Sequence, residues 1–216
     1  MNRQWLLLAA SAFLLPAAAV AGEAKGANSA PDPARAQQIV SQVCAACHGA
    51  DGNSPTPANP SLAGQPGDYI TRQLANFKTG VRPSPIMQPM AKPLSDAEMV
   101  ALGAYFAQQK PKGLAAKDAA SVKVAQRLYR GGDAQAGIPA CASCHAANGG
   151  GIPKNYPRVG GQHADYTYAQ LQAFKAGQRG NDKDGKDASG RIMVDIASRL
   201  SDAQMKALAD YMAGLR

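Results

Sequence analysis

The sequence predicts an all-α fold made of two tandem copies of one small domain. Three observations predict it. The motif Cys44-Ala45-Ala46-Cys47-His48 returns as Cys141-Ala142-Ser143-Cys144-His145, and the residues after it repeat in register. Each copy closes on a capping-box helix with an apolar stripe at helical spacing. No stretch alternates apolar and polar residues over the length of a strand. The 216 residues, 45% of them apolar, suit one large domain or two small ones, and the repeat selects two.

The chain opens on an address label. Met1-Asn2-Arg3 is a short positive region, Trp5 to Val20 is almost wholly apolar, and Ala19-Val20-Ala21 is a small-x-small cleavage site. The apolar run is 16 residues long and contains Pro16, whereas a membrane-spanning helix needs ~20. Residues 1–21 therefore read as a signal peptide, and cleavage leaves 195 of the 216 residues. The mature chain is expected on the far side of a membrane, in a bacterial periplasm.

The next element is a helical run from Ala34 to Val43 that ends at the first cysteine. Pro60-Ser61-Leu62-Ala63-Gly64-Gln65 follows, matched 97 residues later by Pro157-Arg158-Val159-Gly160-Gly161-Gln162. Asp68-Tyr69, Gln73-Leu74 and Phe77-Lys78-x-Gly80-x-Arg82 recur at the same offset as Asp165-Tyr166, Gln170-Leu171 and Phe174-Lys175-x-Gly177-x-Arg179. Helices are predicted over 68–78 and 165–175, with Asp68 and Asp165 as N-caps. Ser95-x-x-Glu98 and Ser201-x-x-Gln204 open the closing helices, which carry Met99, Leu102 and Phe106, and Met205, Leu208 and Met212. Between Ser95 and Ser201 the offset is 106, so the second copy holds nine extra residues, placed in the polar Gly180-to-Ser189 stretch as a loop. The boundary falls near Lys110-Pro111-Lys112-Gly113, giving domains at 22–112 and 113–216.

All four cysteines lie in the two Cys-x-x-Cys-His motifs, the pattern of c-type haem attachment. Two thiols three residues apart on a tight turn can each add to one vinyl group of the same porphyrin, and the next residue, His, is carried under the iron. Disulfides or thioredoxin-like dithiols leave unexplained why His follows both second cysteines when the chain has only three His. Zinc would lack a fourth ligand at usual spacing. Two covalently bound haem c groups are thus expected. They would also supply the core that halves of this size, with 6% aromatics, cannot build alone.

His/Met ligation is common in such sites and raises the potential. His48 and His145 are the proximal candidates. Met99, Met205 and Met212 fall on apolar helix faces and read as core. That leaves Met193 in the second half, and Met87 or Met90 in the first. Met193 precedes Leu200 by seven residues and Met87 precedes Leu94 by seven, so the repeat prefers Met87, with Met90 as packing or fallback. His163 corresponds to Pro66 in the first copy and reads as a surface or hydrogen-bonded residue near a haem edge. Pro60 and Pro157 each lie twelve residues past a motif His; their carbonyls are candidate acceptors for its ring N–H, or the prolines only shape the loop.

These motifs, with Arg130-Gly131-Gly132 and Gly160-Gly161-Gln162-His163, resemble the cytochrome c4 family over essentially the whole mature chain. The resemblance implies two class I-like cytochrome c domains related by a pseudo-twofold axis, haem propionates facing each other across their interface. It also implies a periplasmic dihaem electron carrier, sometimes loosely attached to the membrane, that takes electrons from an upstream donor and supplies a terminal oxidase. Carried over by motif, Cys44, Cys47, Cys141 and Cys144 bind the haems, and His48, Met87, His145 and Met193 ligate iron. Family members are often acidic, whereas this chain has 23 basic and 15 acidic residues, a net +8. It has no Lys/Arg run of the kind that binds nucleic acid, and an acidic protein or anionic surface is the expected partner. The rival readings are an electron-accepting dehydrogenase subunit and a dihaem enzyme, a peroxidase or thiosulfate-oxidising cytochrome. An enzyme needs an exchangeable iron site or a nearby nucleophile; a Met in each half and the absence of a spare Cys argue for a carrier without catalytic residues.

Overall fold

The computed structural model describes residues 30–182 and 184–216; the signal peptide read at 1–21 lies outside them. The fold is helical, and the described residues form only two isolated β-bridges, Asp133 with Ile138 and Ile152 with Tyr156. No described helix is long and apolar enough to cross a membrane.

In the first half, α1 (Pro33–Ile39) starts on Asp32, whose side chain accepts from the Ala34 N–H, with Pro33 in the first turn. The predicted Ala34-to-Val43 helix is shorter than expected: from Val40 to Cys44 the chain widens into a π-helical turn, then tightens into α2 (Ala45–His48). Such turns are rare and concentrate at functional sites. Next come α3 (Gly67–Thr79), the single turn α4 (Met87–Ala91) and α5 (Asp96–Ala107). The second half repeats the pattern as α6 (Ala119–Gly131), α7 (Ala142–His145), α8 (Ala164–Lys175), α9 (Ala188–Ser198) and α10 (Asp202–Ala213).

Both capping boxes form, and the predicted stripes of α5 and α10 are buried in the two cores. The predicted caps at Asp68 and Asp165 are corrected: the caps lie two residues earlier, at Pro66 and His163, without a side-chain cap bond. The two acids sit in the first helical turn, where they complement the macrodipole. The loop expected over Gly180 to Ser189 is shorter: residues 180–182 and 184–187 lie outside any helix, while Ala188 and Ser189 open α9, capped by Asp187, which accepts from the Gly190 N–H.

Two backbone features fix the domains. α3 and α5 cross at glycines: a Cβ on Gly103 would lie 2.5 Å from the Gly67 carbonyl oxygen. After each motif His the chain turns out of the helix with positive φ, 76° at Gly49 and 65° at Ala146. Alanine is strained there; the hydroxyl of the buried Tyr129 holds the Ala146 carbonyl at 2.7 Å. The linker is pinned to both halves. Asn53 binds the Lys110 carbonyl and Lys112 N–H, and Asp210 accepts from the Lys117 and Asp118 N–H groups.

Candidate haem sites and the surface between them

The two Cys-x-x-Cys-His motifs fold alike because each His ends a single helical turn begun beside the first cysteine. All four cysteines are free of disulfides. Burial pushes the Cys44 and Cys141 thiols up to about 11, opposite to the lowered values of dithiol redox motifs.

His48 and His145 are buried and held alike: His48 Nδ1 lies 2.8 Å from the Pro60 carbonyl oxygen and His145 Nδ1 2.9 Å from that of Pro157. A carbonyl only accepts, so the proton is on Nδ1 and the Nε2 lone pair is left for a metal. Burial lowers both imidazoles below their ordinary value, outweighing the bond to the proline carbonyl, which keeps them neutral. Of the two readings of Pro60 and Pro157, the hydrogen-bond acceptor is the one the geometry supplies.

Met87 begins α4, half-buried, its N–H donating to Ser84 Oγ at 3.1 Å. Met90 on the same turn is 45% exposed. Met193 lies inside α9, half-buried against the second core. Met99, Met205 and Met212 are buried in the cores, as their spacing predicts. Each half thus offers two thiols beside a neutral, oriented imidazole, and a half-buried thioether further along the chain. That donor set fits a covalently attached haem with nitrogen and sulfur axial ligands.

His163 is buried between the halves, its Nε2 2.8 Å from the Ser54 carbonyl oxygen; Ser54 Oγ in turn donates to the Cys47 carbonyl. It is the hydrogen-bonded alternative, without a twin in the other half. The remaining interface is two-fold. Gln162 accepts from the Ser61 N–H at 2.9 Å and donates to its carbonyl at 2.9 Å, while Gln65 accepts from the Arg158 N–H at 2.7 Å and donates to its carbonyl at 3.1 Å. Ser61 follows Pro60 and Arg158 follows Pro157, so each clasp grips the loop that orients a motif His. Gln65, Gln162, Tyr69, Tyr166, Gln73, Gln170, Arg82 and Arg179 entered the sequence reading only as markers of the repeat. Their recurrence at one offset marks them as equivalent positions; that they meet across the pseudo-axis is seen in their hydrogen bonds.

Fold and site together define a c-type cytochrome with two haem c groups, one per domain. The cytochrome c family pattern matches residues 33–110 and 125–216. Cytochrome c4 of Thiocapsa roseopersicina is 40% identical over 196 residues, 90% of this chain and 98% of that protein. The crystal structure of reduced recombinant cytochrome c4 from Pseudomonas stutzeri superimposes with a TM-score of 0.78 at 41% identity, covering 87% of this chain and all of that one. A thiosulfate dehydrogenase electron acceptor of Thiomonas intermedia is 40% identical over 173 residues, 79% of this chain and 77% of that protein. The chain belongs to the cytochrome c4 family, and it is an electron carrier rather than an enzyme.

Proposed function

We propose that the chain shuttles single electrons in the periplasm, from an upstream donor to a terminal oxidase. Each haem, when bound, exchanges one electron between ferric and ferrous iron. Cys44 and Cys47 hold one haem and Cys141 and Cys144 the other, through thioether bonds. His48 and His145, each ring fixed by its proline carbonyl, would offer Nε2 to the iron, and Met87 and Met193 would offer their thioethers. Four such side chains would compete with water and small ligands for the metal. The observation that carries this reading is the twofold repetition of a neutral, buried histidine held at 2.8 and 2.9 Å beside a cysteine pair.

A redox titration of the purified protein with visible spectra tests it. Two reversible one-electron haems with low-spin His/Met spectra are expected; a single haem or a high-spin ferric spectrum would contradict it. A second reading, electron acceptor for a thiosulfate-oxidising dehydrogenase, is favoured by the relative of that name. Rates of reduction by such a dehydrogenase and of oxidation by oxidase-containing membranes separate the two.

A further inference from the structure

The duplication supplies an internal control for outward-facing side chains. α1 packs on α5 and α6 packs on α10, the same helix pair in the two halves. Their buried faces share one spacing: Ala36, Ile39 and Val40 in the first half, Ala125, Leu128 and Tyr129 in the second. Matching these triplets pairs Lys123 with Ala34, Arg127 with Gln38 and Arg130 with Ser41, and all six are exposed. The outward face of α6 thus carries three cations where the first half carries none. Arg35, the cation on α1, is paired with Glu98 at 2.8 Å. Neither the fold nor the duplication requires the basic face of α6.

Helix stability does not account for it. Lys123 and Arg127 lie four residues apart and Arg127 and Arg130 three, spacings at which like charges weaken a helix. Only Arg130 gains from the helix C-terminus, and it donates to the Tyr211 hydroxyl at 3.4 Å. Among the described residues no ion pair engages any of the three. The carboxylates at the two ends of the helix, Asp118 and Asp133, accept from backbone N–H groups. Val124 stands among the cations and is 51% exposed. The inner side of the same helix builds the second haem site. α6 packs on the motif turn α7, and the Tyr129 hydroxyl holds the Ala146 carbonyl next to His145. A protein seated on the outer side would lie one helix thickness from that motif, ~10 Å.

We infer that Lys123, Arg127 and Arg130, around Val124, form the surface on which the second domain docks a redox protein bearing a carboxylate-rich patch. Opposite charge speeds such encounters and orients them. One exposed apolar side chain is too little to enter a lipid surface, which favours a protein. Such docking rests on the shuttle role, whether the partner is an oxidase or a dehydrogenase.

The test is stopped-flow electron transfer from the reduced two-haem protein to a small copper protein with a carboxylate-rich patch. The second-order rate constant of the unmutated protein should fall as salt rises. Lys123→Gln with Arg127→Gln should lower it roughly tenfold at ~0.01 M ionic strength, where the screening length is ~30 Å. The two proteins should converge at ~1 M, where that length is ~3 Å. Lys92→Gln with Lys110→Gln removes the same charge from exposed positions of the first domain and the linker, and should change the rate by less than about twofold. An equal loss in that control would show that net charge alone acts, and overturns the inference. So does a loss in the α6 variant that persists at high salt, since steering is screened there. A salt-independent rate for the unmutated protein, or no reaction at all, also overturns it, while a redox titration that still finds two His/Met haems leaves the shuttle role standing. Sedimentation with vesicles of phosphatidylglycerol and phosphatidylcholine in equal parts completes the test. Binding that the α6 variant loses would assign the face to a membrane and overturn the inference; unmutated protein left in solution supports it.

Discussion

Met87 and Met90 lie on one helical turn, three residues apart, yet only Met87 is half-buried while Met90 is 45% exposed. A thioether that closes a haem pocket has to be shielded from water, so Met87→Ala should remove Met ligation in the first domain. The weak near-infrared band of the Met–iron bond should halve in that variant and persist in Met90→Ala; the reverse result would show that the repeat alignment chose the wrong sulfur. At this scale the motif residues were legible because their chemistry fixes their spacing. The role of Pro60 and Pro157 stayed open in the sequence, since a proline carbonyl leaves no trace in side-chain identity. The cross-domain partners of His163 and of Arg82 and Arg179 were illegible for a related reason: they lie 109 and 84–110 residues away in the chain.

The capping-box helices were legible element by element, because the signal is local and the stripe that follows is buried as read. α4, α6 and α9 were not anticipated. α6 did carry a signal, Asp118 accepting from the Ala120 N–H ahead of an apolar face of Ala125, Leu128 and Tyr129. α4 is one turn long, too short for any periodicity to register. For α5, the Ser95 backbone N–H is the largest influence lowering the Glu98 carboxyl, with Arg35 beside it, and the group falls from its ordinary 4.5 to about 2. The folded value lies below the unfolded one. The stabilisation is therefore complete above about pH 4.5 and is lost as pH falls towards 2. Acid unfolding followed by circular dichroism should show a shallower dependence in Glu98→Gln across that window; an unchanged slope would remove Glu98 from the account. Ser95→Ala should cost about 1 kcal/mol of stability at neutral pH.

Across the whole molecule, the two halves are joined by reciprocal clasps and a linker pinned at both ends. Gln162→Leu would leave the Ser61 N–H and carbonyl and the His163 N–H without their partner in the interface, each costing ~1–3 kcal/mol where water cannot replace it. A lower melting temperature and faster tryptic cleavage after Lys112 are expected, the Lys110–Pro111 bond being resistant to trypsin; unchanged values of both would mean that the clasp does not hold the domains together. The duplication itself was plain in the sequence, but the face along which the copies meet was not. A repeat offset states that two units are alike, and says nothing of which surfaces they bury.

The central claim is that both irons have two protein ligands, so that the molecule carries electrons and binds no substrate at the metal. Carbon monoxide added to the fully reduced protein near neutral pH tests it most directly, since the gas binds ferrous haem wherever an axial position is free or weakly held. Unchanged visible spectra of both haems are the predicted result; a stoichiometric shift at either haem would contradict it.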